Sequence, residues 1–245
     1  KYIGMFGTGY GNIDAKYAKS KKIVVCNVPN YSTESVAELV FAVILEQLRE
    51  LETAKKQARN KNYSDAGFSP TEIKNKKFGI LGLGNIGKRV AELALCFGAD
   101  IGYWSKNRKI DIESKGITYE NADDLISKSD FLTLHLSHTN DTENFLDKNR
   151  IQKIKKGAIV INTSPMELVD INALEIRLKS KDITFILDHS DEMTKENLEM
   201  LSKYPNCIIY PPIGCITKEA EINKQEIFVK NIKNFVRDTP TNNVN

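Results

Sequence analysis

Three observations predict an α/β fold built on a doubly wound parallel sheet. Short runs rich in Val, Ile and Leu alternate with stretches of helical periodicity. The runs are apolar enough for strands covered on both faces. One of them, Phe78-Gly79-Ile80-Leu81, leads directly into Gly82-Leu83-Gly84-Asn85-Ile86-Gly87 and then into a helix.

The chain opens on an apolar, strand-like run, Tyr2-Ile3-Gly4-Met5-Phe6, and Ile23-Val24-Val25-Cys26 reads as a short buried strand ended by Pro29. Ser32 or Thr33 can cap the next helix. From 34 to about 59, Val36, Leu39, Val40, Val43, Ile44, Leu48 and Leu51 recur at helical spacing, which predicts one long amphipathic helix. Such a helix suits either a partner subunit or a solvated crossover within one monomer. Strands are then predicted at 78–81, 100–104, 131–136, 158–162, 183–187 and 207–210. Helices or helical turns are predicted at 85–97, 120–127, 150–154, 172–180 and 198–201. A polar amphipathic helix, 217–236, and a loop-like end, 238–245, complete the chain.

Composition narrows the function classes. Lys and Arg number 35 and Asp and Glu 32, a net charge of +3, so neither a nucleic-acid partner nor a membrane surface is expected. No run approaches the roughly 18–20 apolar residues of a membrane span. Cys26, Cys96, Cys207 and Cys215 are widely spaced without a C-x-x-C pair. They read as four small buried hydrophobes in a reducing, cytoplasmic setting, with no metal site.

In the glycine motif each glycine has its own task. Gly82 permits the tight turn, Gly84 lets a pyrophosphate approach the backbone, and Gly87 lets the helix pack close to the strand. The N-terminus of the helix, with Asn85 and Ile86, offers N–H groups and partial positive charge to phosphates. A strand, this motif, a helix and a second strand in sequence predict a Rossmann domain that binds a nicotinamide dinucleotide. The second strand ends in Ser105-Lys106-Asn107-Arg108-Lys109, where NAD-selective sites usually place a carboxylate for the ribose hydroxyls. Ser105, Lys106 and Arg108 suit a 2′-phosphate instead, so the expected cofactor is NAD or NADP, with NADP favoured. Solvated loop charges are the alternative.

Further segments carry a family resemblance. Gly7-Thr8-Gly9-Tyr10-Gly11-Asn12-Ile13-Asp14, Asn27 to Glu38, Leu134-His135-Leu136-Ser137, Asn162-Thr163-Ser164, Val169-Asp170 and Leu187-Asp188 together resemble the D-isomer-specific 2-hydroxyacid dehydrogenases, nearly end to end. The resemblance implies hydride transfer between nicotinamide and a small 2-hydroxy or 2-oxo acid, in a homodimer. It implies cofactor contacts from Asn162 and Thr163, and from Asp188 to the nicotinamide carboxamide. It also implies a dinucleotide-binding domain over 34–213, with parts of a second, flavodoxin-like substrate domain at 1–33 and 214–245. The chain opens on Lys1, and about 70–100 further residues are expected upstream of it, completing that second domain.

The catalytic pattern departs from the family. Where the family carries Arg after the Asn-Thr-Ser segment, this chain has Pro165, and where it carries His before Ile-Gly, this chain has Pro212. The family's Glu aligns with Met193, one residue past Glu192. Proline can neither clamp a carboxylate nor donate a proton through its side chain. His189, directly after Asp188, is the candidate replacement acid, oriented by Glu192 or Asp191; the alternative is a surface histidine in an acidic loop. His135 reads as structural or as a neighbour of the cofactor, and His138 as a loop residue. A missing clamp also admits a substrate without a carboxylate. A catalytically silent dinucleotide-binding sensor or scaffold is the alternative function.

Overall fold

The computed structural model describes all 245 residues. Two compact units are present, Lys1–Ser35 with Cys215–Asn245, and Val36–Gly214. In chain order the elements are β1 (Tyr2–Gly4), α1 (Ala15–Ser20), β2 (Val24–Cys26), α2 (Thr33–Leu48), α3 (Leu51–Arg59), β3 (Lys77–Leu81), α4 (Asn85–Cys96), β4 (Asp100–Trp104), α5 (Ile110–Glu113) and β5 (Ile117–Tyr119). Then come α6 (Ala122–Lys128), β6 (Phe131–Leu134), α7 (Lys148–Lys153), β7 (Ile159–Asn162), α8 (Ile171–Leu178), β8 (Thr184–Leu187), α9 (Lys195–Leu201), β9 (Cys207–Ile209) and α10 (Lys218–Val236). Short 3-10 turns come after β7 (Met166–Leu168) and β8 (Ser190–Glu192). No helix is long and apolar enough to cross a membrane.

The larger unit is a seven-stranded parallel sheet in the order β5-β4-β3-β6-β7-β8-β9. Successive side chains of each strand divide between two cores. Phe78, Ile80, Phe131, Ile159, Ile161 and Ile186 meet Val40, Ile44, Val90 and Ala94 of α2 and α4. Leu81, Leu132, Leu134, Val160, Phe185 and Leu187 meet Leu125, Ile151, Leu174 and Leu201 of α6, α7, α8 and α9. Both faces are therefore covered, which is why the strands read as unbroken apolar runs. The strand order reverses between β3 and β6, and the crevice at such a switch point is where open α/β sheets take ligands.

The smaller unit pairs β1 with β2 in parallel, Tyr2 opposite Val24. Its last residues are more than a loop-like end. Asn243 forms an antiparallel bridge with Cys26, and the Asn245 amide donates to the Ile23 carbonyl at 2.7 Å. The buried Asn231 of α10 donates to the Asn27 carbonyl and accepts from Asn242, tying the unit's sequence-distant pieces together.

Several expectations are corrected. The single helix expected over 34–59 is two, α2 and α3, broken at Glu50, which adopts left-handed φ 49° and ψ 40°. The cause lies in the segment after α3: Thr71 N–H bonds to the Leu48 carbonyl, and Ser69 N–H to the Glu50 carboxylate at 2.8 Å. Thr33 is the first helical residue of α2 rather than its cap. The short elements α1, α5 and β5 were not expected. Of the four cysteines only Cys26 and Cys207 are buried; Cys96, the last residue of α4, is exposed and Cys215 is intermediate.

Candidate dinucleotide-binding site

Gly82 leaves β3 with φ +100°, and a Cβ there would lie 2.6 Å from the His135 carbonyl oxygen, on the chain leaving β6. The turn is stitched to both neighbours: Gly82 N–H donates to the Trp104 carbonyl at 2.8 Å, and His135 N–H to the Leu81 carbonyl at 2.7 Å. Gly84 is the N-cap of α4 in extended geometry, φ −77° and ψ −160°, with no side-chain cap bond and no acidic residue in the first helical turn. A Cβ on Gly84 would meet nothing within 4 Å. A Cβ on Gly87 would collide with the Gly82 carbonyl oxygen. Gly84 and Asn85 are exposed, Ile86 half-buried and Gly87 buried. The arrangement is an open cradle over an uncapped helix end, which suits a phosphate.

The Gly87 contact is with backbone, which cannot swing aside. Gly87→Ala should cost about 2–3 kcal/mol of stability, read as a lower urea midpoint at unchanged slope. A loss under about 0.5 kcal/mol, the range of neutral surface changes, would show that the turn relaxes freely.

On one side of the cradle, after β4, lie Ser105, Lys106 and Arg108. All three already have protein partners. The buried Ser105 hydroxyl donates to the Asn107 carbonyl at 2.6 Å. Lys106 pairs with Asp141 at 2.6 Å, both side chains well exposed. Arg108 donates from Nε and Nη2 to the two carboxylate oxygens of Glu113, at 2.8 and 2.7 Å. Neither Asp141 nor Glu113 was expected from the sequence; Glu113, five residues after Arg108, was within reach of a local charge-pairing argument.

On the other side, after β6, β7 and β8, lie His135, Asn162, Thr163, Asp188, His189 and Glu192. Asn162 is fully buried, and its Oδ1 accepts from Ser164 N–H at 3.0 Å, which fixes the turn after β7. Thr163 Oγ1 lies 3.2 Å from His135 Nδ1. Burial pushes the His135 imidazole down to about 3, so this ring is neutral, and its Nε2 is buried without a partner. Asp188 is buried; its Oδ2 accepts from Gly214 N–H at 2.9 Å, while Oδ1 has no hydrogen-bond partner. A Cβ on Gly214 would collide with that same Oδ2, so glycine is what lets this amide reach the carboxylate. Burial raises the Asp188 carboxyl above its ordinary range, opposed by His189 and the Gly214 amide.

His189 sits among carboxylates. Its Nδ1 is 3.4 Å from Glu192 Oε2, and its Nε2 is 3.8 Å from Asp188 Oδ1 and 3.2 Å from the Thr163 carbonyl oxygen. Burial also raises Glu192, with Glu167 and Asp191 adding to the rise and His189 opposing it. Pro165 opens the 3-10 turn after β7 and contributes no side-chain bond.

The candidate residues thus fall into two groups, beyond β4 and beyond β6–β8, on opposite flanks of the glycine turn. That spread suits an extended two-headed ligand. On the second flank two buried polar atoms, Asp188 Oδ1 and His135 Nε2, lack hydrogen-bond partners, which suits a polar group of a bound ligand.

Comparison with known proteins places the chain in a family. Residues 41–214 match the family described as "D-isomer specific 2-hydroxyacid dehydrogenase, NAD binding domain". The chain is 35% identical to a glyoxylate reductase of Thermococcus litoralis over 255 aligned positions, covering 100% of this chain and 77% of that protein. An acyclic imino acid reductase solved with NADPH and D-Arg superposes with a TM-score of 0.90 at 30% identity, over 100% of this chain and 78% of that one. D-lactate dehydrogenase from Aquifex aeolicus, solved with NAD and lactic acid, gives 0.89 at 29% identity, over 98% and 77%. The chain belongs to the D-isomer-specific 2-hydroxyacid dehydrogenase family of NAD(P)-dependent oxidoreductases.

Proposed function

We propose that the larger unit binds NADP(H) in preference to NAD(H), and that the protein interconverts a small 2-oxo acid and its 2-hydroxy acid. The pyrophosphate lies over Gly82, Gly84, Asn85, Ile86 and Gly87. The 2′-phosphate lies at Ser105, Lys106 and Arg108, and the nicotinamide towards Asn162, Thr163 and Asp188. The observation that carries the reading is the open space over Gly84 at an uncapped helix N-terminus. The neighbours include both cofactors, NADPH in the imino acid reductase and NAD in the D-lactate dehydrogenase, so the preference rests on Ser105, Lys106 and Arg108 and on the lack of a carboxylate at the end of β4.

The bound cofactor supplies the hydride. This chain's residues hold the reactants and move the proton. His189 is the acid for the carbonyl oxygen. Glu192 holds its Nδ1, which leaves Nε2 to meet the substrate, whose oxygen takes the place of the Thr163 carbonyl as partner. Residues 1–33 and 214–245 form part of the substrate domain, residues 34–213 form the dinucleotide-binding domain, and the protein works as a cytoplasmic homodimer.

A second reading, a silent dinucleotide-binding sensor or scaffold, rests on Pro165 and Pro212, which by the resemblance stand where the family carries Arg and His. The two are separated by following oxidation of NADPH and NADH, separately, against glyoxylate, hydroxypyruvate and pyruvate. Turnover is expected, with NADPH preferred by about tenfold or more in kcat/KM, the scale of one charge-assisted contact. Saturable cofactor binding without turnover on any acid would establish the second reading instead.

A further inference from the structure

Arg108 is held in a more elaborate way than a surface cation needs. Its guanidinium lies 5.4 Å above the Tyr119 ring, and that ring packs edge-on against Tyr103, centroids 5.3 Å apart. Tyr103 is fully buried in β4, and its phenol oxygen reaches the backbone of the turn beyond that strand. It accepts from Lys109 N–H at 2.7 Å and donates to Glu113 Oε1 at 2.8 Å. Glu113 in turn grips Arg108 through both oxygens. One relay therefore runs from the sheet core through Tyr103 and Glu113 to Arg108, and the same phenol fixes the turn's backbone at Lys109. Arg108 itself remains largely exposed, whereas Glu113 does not. Arginine has five N–H donors in a planar fork, and Glu113 takes two of them along one edge, leaving the other edge for an anion. Lys106 has nothing comparable: its partner Asp141 is as exposed as it is, so that pair exchanges and screens readily.

We propose that Glu113, fixed by Tyr103, is a positioning residue for cofactor selection: it presents the free guanidinium edge of Arg108 to the 2′-phosphate of NADP(H). This rests on the reading of Arg108 given above and adds the device that aims it. Pre-organisation of this kind raises affinity by removing the entropy of ordering a long side chain. Arg108 and then Tyr103 also hold the Glu113 carboxyl down to about 2, which keeps it ionised near neutral pH.

The test is the ratio of NADH to NADPH dissociation constants, measured by fluorescence titration of the whole protein. Arg108→Ala should lower that ratio about 10–100-fold, as loss of a charge-assisted contact does. Glu113→Ala and Tyr103→Phe should each lower it about 5–20-fold, and Glu113→Gln, which keeps an acceptor for both partners, should recover part of the loss. A general loosening of the fold would weaken both cofactors alike and leave the ratio unmoved. In the Arg108→Ala background, Glu113→Ala should have no further effect on the ratio. If Arg108→Ala lowers the ratio while Glu113→Ala and Tyr103→Phe do not, the positioning role is wrong and the reading of Arg108 stands. If Glu113→Ala raises the ratio, Glu113 sequesters Arg108 and the proposal is overturned. An unchanged ratio in Arg108→Ala would remove the reading and the proposal together.

Discussion

Gly84→Trp should weaken NADPH binding at least ~100-fold, about 2.7 kcal/mol, without unfolding the protein. Both halves of that expectation come from the same position. The backbone of Gly84 is extended, φ −77° and ψ −160°, so any residue can adopt it. A Cβ there meets nothing within 4 Å, so an indole has room to leave the surface. Stability should change by no more than about 1 kcal/mol, the scale of altering a helix N-cap. The space the indole fills is the space the pyrophosphate needs, and the N–H groups of the first turn of α4 are covered with it. Gly87→Ala is the contrast, since its added methyl strikes the Gly82 carbonyl. Cofactor titration and urea melts on both variants separate a binding position from a packing position. Unchanged NADPH affinity in Gly84→Trp would remove the pyrophosphate from this turn.

The glycine motif was legible because its demands are local. A left-handed turn at Gly82, an unobstructed cap at Gly84 and a close backbone contact at Gly87 all fall within one short stretch, between a strand and a helix that announce themselves. Six strands of the seven-stranded sheet were legible for a similar reason, since burial on both faces leaves an unbroken apolar run in the chain. The edge strand β5 was not, because three residues with one exposed between two less exposed ones carry no distinguishing pattern. The break at Glu50 was not legible either. A left-handed glutamate is unusual, and what holds it is a carboxylate contact to Ser69, nineteen residues on. Loop charges were half legible. Lys106 and Arg108 could be seen as a basic turn, but whether that turn faces an anion or its own carboxylates depends on Asp141, thirty-five residues away, and on a phenol rising from inside the sheet.

The same limit bears on the proposed catalytic pair, since adjacency in sequence brings His189 and Glu192 together while the partners of His189 include Thr163, twenty-six residues earlier. His189→Ala should lower kcat for 2-oxo acid reduction about 10²–10⁴-fold, the usual loss when a general acid is removed. The NADPH dissociation constant should stay within about threefold of the parent value, because a proton donor acts in the transition state and not in cofactor binding. Glu192→Gln should cost less, about tenfold, since it leaves the imidazole in place and removes only the carboxylate 3.4 Å from Nδ1. Residues that act as a unit do not contribute additively, so the double variant should be hardly slower than His189→Ala alone. A kcat for His189→Ala within about threefold of the parent would end the assignment. The proton would then come from elsewhere, for neither Pro165 nor Pro212 has one to give.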